Sequence, residues 1–184
     1  MKAVAVHPGT KQVGLVDREE PRIERPKDVK VRILEVGVCG TDKEICRFEY
    51  GAPPAGSDYL VLGHESLGVV VDAGKDVTRV KQGDLVVVMV RRPCNHESCN
   101  PCRGGRQDFC MTGDFTERGI NQQHGFMTGF IVDDEEYMCP VPDALRDIAV
   151  LAEPLTIFNH IGRTLFLKLK FIKLDSAGLR AGAD

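Results

Sequence analysis

Six short valine-rich runs constrain the fold of this chain more than any other feature: KAVAV (2–6), QVGLV (12–16), VKVRILEVGV (29–38), LGVVVDAG (67–74), DLVVVMV (84–90) and GFIVDD (129–134). Gly, Pro and Asp separate them. β-Branched residues in runs this short, bounded by turn formers, make strands, and many such strands in succession make a barrel-like or sandwich-like β domain. Within residues 29–38 the apolar positions are Val29, Val31 and Ile33, then Leu34, Val36 and Val38. The buried face therefore switches, which predicts a β-bulge near Leu34, a device that often aims the end of a strand at a site.

Short helices should interrupt the strands. Thr41 opens TDKEICR with Glu44 three residues on, the spacing of a capping box, so a helix is expected just after Cys39 and Gly40. In PDALRDIAVLAEPL, Asp143 follows Pro142 as the expected N-cap. Leu145, Ile148, Ala149 and Ala152 recur at helical spacing, and Pro154 should end the run. Past Leu155 the character changes. LFLKLKFIKL (165–174) alternates apolar and basic residues, which suits an edge strand or an amphipathic element, although a poorly packed chain end is the preferred reading.

Length allows one well-cored domain, or one domain with a short appendage, in these 184 residues. The net charge of -3 argues against a general binder of nucleic acid or anionic membrane. MKAVAVHPGT is too short in apolar residues for a signal peptide, and no run approaches the ~20 apolar residues that span a bilayer. A cytoplasmic location is therefore expected. There thiols stay reduced, so seven cysteines, an odd number, read as metal ligands or buried thiols and not as a disulfide set.

Four of those cysteines, Cys94, Cys99, Cys102 and Cys110, fall within 17 residues at spacings x4, x2 and x7. Asn100, Pro101, Gly104 and Gly105 let the chain turn around an ion, so a closed tetrahedral zinc site is expected, structural because no coordination position stays open. His96 could replace one thiolate. Arg91, Arg92, Arg103 and Arg106 would form the basic face if the lobe were a nucleic-acid-binding zinc ribbon; the acidic balance of the chain favours a solvated loop instead.

A second site is suggested by residues at element ends. Cys39 follows a strand, His64 with Glu65 precedes one, and Glu153 follows a helix, so their side chains can converge as the roughly three ligands of a catalytic zinc. Each alone reads more readily as a buried thiol or a solvated acid. Gly63, His64, Glu65, Gly68, Gly74 and Val77 reproduce a G-H-E-x2-G-x5-G-x2-V pattern. With VGVCGTD and the four-cysteine lobe, in that order, the chain resembles the zinc-containing medium-chain alcohol and polyol dehydrogenases. CGTDKEI, RQDFC, GDFTERGI, HGFMTGFIVDDEEY and LAEPL look like its glucose dehydrogenase branch.

The resemblance, over roughly residues 1–157, implies a mainly β, GroES-like catalytic domain with short helices and a structural zinc lobe at 91–118, followed by an atypical tail at 158–184. It implies two zinc ions, one held by Cys94, Cys99, Cys102 and Cys110. The other would be held by Cys39, His64 and either Glu65 or Glu153. Thr41 would pass a proton to solvent, Glu117 and Glu153 would bind sugar hydroxyls, and hydride from a sugar or alcohol substrate would go to NAD or NADP. The x4 gap departs from the family's usual x2. Family members are also about twice as long, and no G-x-G-x-x-G follows residue 155, so the nucleotide-binding Rossmann domain is expected to be absent and the chain inactive alone, as a truncated or frame-disrupted member or a piece cut from one. Self-association into a homo-oligomer through the apolar tail is a further expectation. A zinc-stabilised binding module without catalysis and a general zinc alcohol dehydrogenase are the rival readings.

Overall fold

Strands form where the valine runs lie. The computed structural model describes residues 1–156 and, beyond them, the backbone of residues 172–175 and 178–181. In chain order the elements are β1 (Lys2–His7), β2 (Gln12–Asp17), β3 (Asp28–Gly37), α1 (Gly40–Cys46), β4 (Leu60–Val61), β5 (Glu65–Ala73), β6 (Leu85–Val88), β7 (Arg91–Arg92), α2 (Asn100–Arg103), β8 (Thr116–Arg118), β9 (Gln122–Gln123), β10 (Phe130–Asp134), β11 (Met138–Val141), β12 (Ile172–Asp175) and β13 (Gly178–Ala181).

An antiparallel five-stranded sheet in the order β10-β3-β5-β6-β11 carries the architecture, with a three-stranded sheet β2-β1-β4 and a small β7-β8-β9 sheet beside it. β12 and β13 pair as a hairpin. The long β3–β5 ladder shifts register between Ile33 and Glu35, at the bulge the face switch predicts, and again between Lys30 and Val31. Beyond the Ile33–Glu35 shift Glu35 faces Leu67, Val36 faces Ser66 and Gly37 faces Glu65. That register decides which residues meet at the site.

Val29, Val31, Val70, Val86, Val88, Phe126, Ile131 and Met138 make the main core against this sheet. Each such side chain contributes roughly 1.5–3 kcal/mol when removed from water. A second cluster of Val6, Ile45, Leu60, Leu62 and Ile120 fixes α1 against β1 and β4. Among the described residues no helix is long and apolar enough to cross a membrane.

Three local expectations are corrected. The first helix begins at Gly40 with Cys39 as N-cap and Asp42 at the third position; Asp42 Oδ2 accepts from the Cys39 backbone N–H at 2.9 Å. Thr41 and Glu44 therefore lie inside the helix, because the shorter, buried acid reaches back first. The segment expected as an α-helix from Asp143 is a 3-10 helix, Asp143–Leu151, capped by Pro142. Within it Ala149 is buried while Leu145 and Ile148 are exposed. Arg146 ties the segment to β3 through an ion pair with Glu35. Pro154 does not end the run but lies within a helical turn at 152–156, tolerable because a first-turn residue has no intrahelical N–H bond to lose. Of the predicted apolar–basic stretch 165–174, all but the part within β12 lies outside the described residues.

Candidate metal centres and substrate cleft

Cys39, His64 and Glu65 come together where β3 and β5 end side by side. Their ligand atoms all lie within 4.8 Å of one another, and Cys39 Sγ faces His64 Nε2 at 3.0 Å. Gly63 makes this possible. Its φ of +91° turns the chain from β4 into β5, and a Cβ there would sit 2.8 Å from Met127 Cγ and 2.9 Å from Val36 Cγ1. Gly119 and Gly125 pack their backbones onto the Gly63 carbonyl so closely that a Cβ on either would overlap it. The glycines of this region hold His64 in place by close backbone approach.

Behind His64 stands Asp42, with Oδ1 at 3.5 Å from Nδ1. That is an ion-pair separation and not a closed hydrogen bond, so both atoms are buried without a hydrogen-bond partner. Burial alone would lower the His64 pKa. The Asp42 carboxylate and the Cys39 sulfur outweigh it and hold the imidazole up to about 9. Burial likewise opposes the charge on Asp42, and His64 and the Cys39 N–H overcome it, keeping that carboxyl below its usual value.

This cluster favours an added positive charge between Nε2 and Sγ. A zinc ion supplies one, with bonds of ~2.0–2.3 Å that bring its donors within about 4 Å of each other. A carboxylate beside the outer nitrogen of a ligating histidine is the usual way its tautomer is set. The residues present therefore fit zinc.

The cluster opens onto a cleft of about 980 Å³ lined by Thr41, Tyr50, Val88, Glu117, Ile148 and Glu153 among others. Glu117, on β8, is buried, and Arg91 grips its Oε1 twice, from Nε at 3.0 Å and Nη2 at 2.8 Å. Arg91 in turn stacks over Phe115 at 4.1 Å. Glu153 lines the cleft but is not among the three residues whose ligand atoms cluster. Burial raises its carboxyl pKa; His64 pulls it back and Glu65, Glu117 and Asp42 push it further up.

In the lobe, the four sulfurs of Cys94, Cys99, Cys102 and Cys110 also lie within 4.8 Å of one another. Backbone N–H groups aim at them: Met111 N is 3.5 Å from Cys99 Sγ, which with the Cys102 N–H favours the Cys99 thiolate. The Thr112 hydroxyl draws Cys110 down to about 6, whereas burial and the neighbouring thiols push Cys102 up to about 12. Four sulfurs converging this closely fit a divalent cation in their midst. All seven cysteines are free. His96, the alternative ligand, is exposed and pairs with Asp114.

The four arginines of the zinc-ribbon reading do not share a face. Arg91 turns to Glu117, and Arg92 is buried against Asp133 at 2.6 Å, while only Arg103 and Arg106 are exposed. The sequence reading gave no role to Asp42 or Gly37, or to Arg91 as the partner of Glu117. The acid after Thr41 was a visible signal for the first. Glu117 and Arg91 are 26 residues apart, and only the β7–β8 pairing joins them.

Comparison with known proteins follows the same lines. The family model for the alcohol dehydrogenase GroES-like domain matches residues 25–143. A glucose 1-dehydrogenase of Methanocella arvoryzae is 49% identical over 100% of this chain and 51% of its own length. A glucose 1-dehydrogenase of Vulcanisaeta moutnovskia is 45% identical over 96% and 49%. The chain spans about half the length of the curated relatives it matches. Among solved structures, glucose dehydrogenase from Haloferax mediterranei is similar with TM-score 0.83 at 34% identity, covering 95% of this chain and 48% of that one. The same enzyme in complex with NADP, Zn and gluconolactone gives 0.74 at 37%, covering 82% and 42%.

Proposed function

Because this chain belongs to the family of alcohol dehydrogenase GroES-like domains, we propose that it serves zinc-dependent oxidation of an aldose, with hydride passing to NAD or NADP. The observation that carries this reading is the Cys39–His64–Glu65 cluster opening onto a cleft that Glu117 and Glu153 also line. Residues 1–157 form the catalytic domain in this reading, with residues 91–118 as a structural zinc lobe. The gluconolactone held by the Haloferax enzyme is what oxidation of glucose at C1 yields, and it supports the C1 hydroxyl as the reacting group.

Cys39 and His64 would hold the catalytic zinc with Glu65, or with Glu153 in exchange, and Cys94, Cys99, Cys102 and Cys110 would hold the structural one. Zinc in the cleft supplies Lewis acidity that makes a sugar hydroxyl easier to deprotonate. Asp42 keeps the Nδ1 proton of His64 and so leaves Nε2 as the ligand. The Thr41 hydroxyl, in the cleft and without a protein hydrogen bond among the described residues, takes up the released proton and hands it to solvent. Arg91 grips Glu117 with both bonds on Oε1, leaving Oε2 to accept from a sugar hydroxyl. An apolar alcohol would leave such acceptors unpaired at a cost of ~1–3 kcal/mol each.

The test is a chimera joining residues 1–157 to the remainder of a glucose 1-dehydrogenase relative. It should oxidise glucose in preference to ethanol, and Thr41→Ala should lower turnover by ~10²-fold or more with zinc content unchanged. Preference for ethanol would move the chain to the general alcohol dehydrogenases, and full activity of Thr41→Ala would remove the proton route.

A further inference from the structure

Gly37 is the last residue of β3 and pairs directly with Glu65 at the start of β5. A Cβ built on Gly37 would overlap Glu65 Oε2 and lie 3.0 Å from its Cβ and 3.1 Å from its Cδ; its three nearest atoms all belong to Glu65. The Glu65 side chain thus passes over the bare Cα of its cross-strand partner on its way to Cys39 and His64. The backbone does not itself require glycine, because Gly37 is not among the residues with positive φ. The nearest atoms a side chain here would meet belong to one flexible side chain, so the strand pair could accept alanine by moving Glu65 aside.

We propose that Gly37 is a positioning residue: the missing side chain is the slot that lets the Glu65 carboxylate reach the metal cluster. Glu65 is buried and has no hydrogen-bond donor to fix it among the described residues, so the space left by Gly37 sets its direction. This inference rests on the reading of Glu65 as a zinc ligand.

Zinc titration of the 184-residue chain against a chromophoric chelator tests it, with the four-cysteine site as internal control. Gly37→Ala should weaken the second zinc site ~10–100-fold, as displaced ligand supports do, while the first site and the thermal midpoint stay unchanged. In a Glu65→Ala background, Gly37→Ala should add nothing. A Gly37→Ala chain that binds both ions normally, although Glu65→Ala weakens the second, overturns the slot and spares the ligand. Additive loss in the double variant, or a loss shared by both sites, overturns it in favour of a general structural role. No effect of Glu65→Ala removes the ligand assignment itself and the inference with it.

Discussion

The four sulfurs of the cysteine lobe and the three donors at Cys39, His64 and Glu65 converge within the same 4.8 Å, yet they hang on different supports. The three donors stand at the ends of β3 and β5, whose ladder runs through the buried valine core. The lobe donors lie on a loop with one four-residue helix, α2, and a single 3-10 turn, and its buried cluster consists of the cysteines themselves. Where a sheet supplies the geometry, a metal adds chemistry to a scaffold that exists without it. Where the donors are most of the buried material, metal binding and local folding are one process.

The largest expected effect breaks the comparison at the lobe. Cys99→Ser should release the lobe metal, whose apparent binding free energy is of order 10 kcal/mol for comparable structural zinc sites. Amide hydrogen exchange should then rise across residues 94–114 and stay slow in β3 and β5. Protection lost equally in the central sheet would show that the two regions do not fold independently.

An intermediate effect is expected behind His64. Asp42→Asn keeps the size of the side chain but removes the charge that faces Nδ1, and it should weaken zinc at the Cys39–His64 site by ~10–100-fold. Metal content of the lobe should not change. Equal affinity in the two proteins would mean that the carboxylate only caps α1.

A third effect, outside both metal regions, is read by pH. His124 Nδ1 accepts the Val61 N–H at 3.2 Å, and its ring stacks on Tyr59 at 5.0 Å. Burial, then Arg18 and Arg118, lower its pKa from 6.5 to about 4. The unfolded chain therefore takes up this proton at higher pH than the folded one. The stability it contributes is whole above pH 6.5 and is lost as the pH falls towards 4. Chemical denaturation across that window should show a flatter pH dependence for His124→Gln, which offers an acceptor but does not titrate. An unchanged slope would shift the acid sensitivity to other groups.

Most of the strands were legible because valine runs and turn residues are local signals, and a bulge could be placed at Leu34 from the change of face alone. The cysteine lobe was legible for the same reason: its donors are close in sequence, so spacing stands in for distance. The helices were read less well. Thr41 and Glu44 have the spacing of a capping box, but the buried Asp42 makes the cap bond. Leu145 and Ile148 have helical spacing but line the cleft from exposed positions.

The sequence by itself determined that a β-rich domain forms and that four cysteines share one loop; it also named Cys39, His64 and Glu65 as candidates. The tertiary structure alone decided their meeting, through a register that sets Gly37 opposite Glu65 and brings residues 25 apart, Cys39 and His64, to 3.0 Å. It decided too that Asp42 stands behind the histidine and that Arg91 holds Glu117. Strand propensity and ligand spacing act within a few residues and survive in the linear order. Register, burial and the approach of two backbones depend on the sum of many weak side-chain contacts across the sheet, and no short stretch of the chain contains that sum.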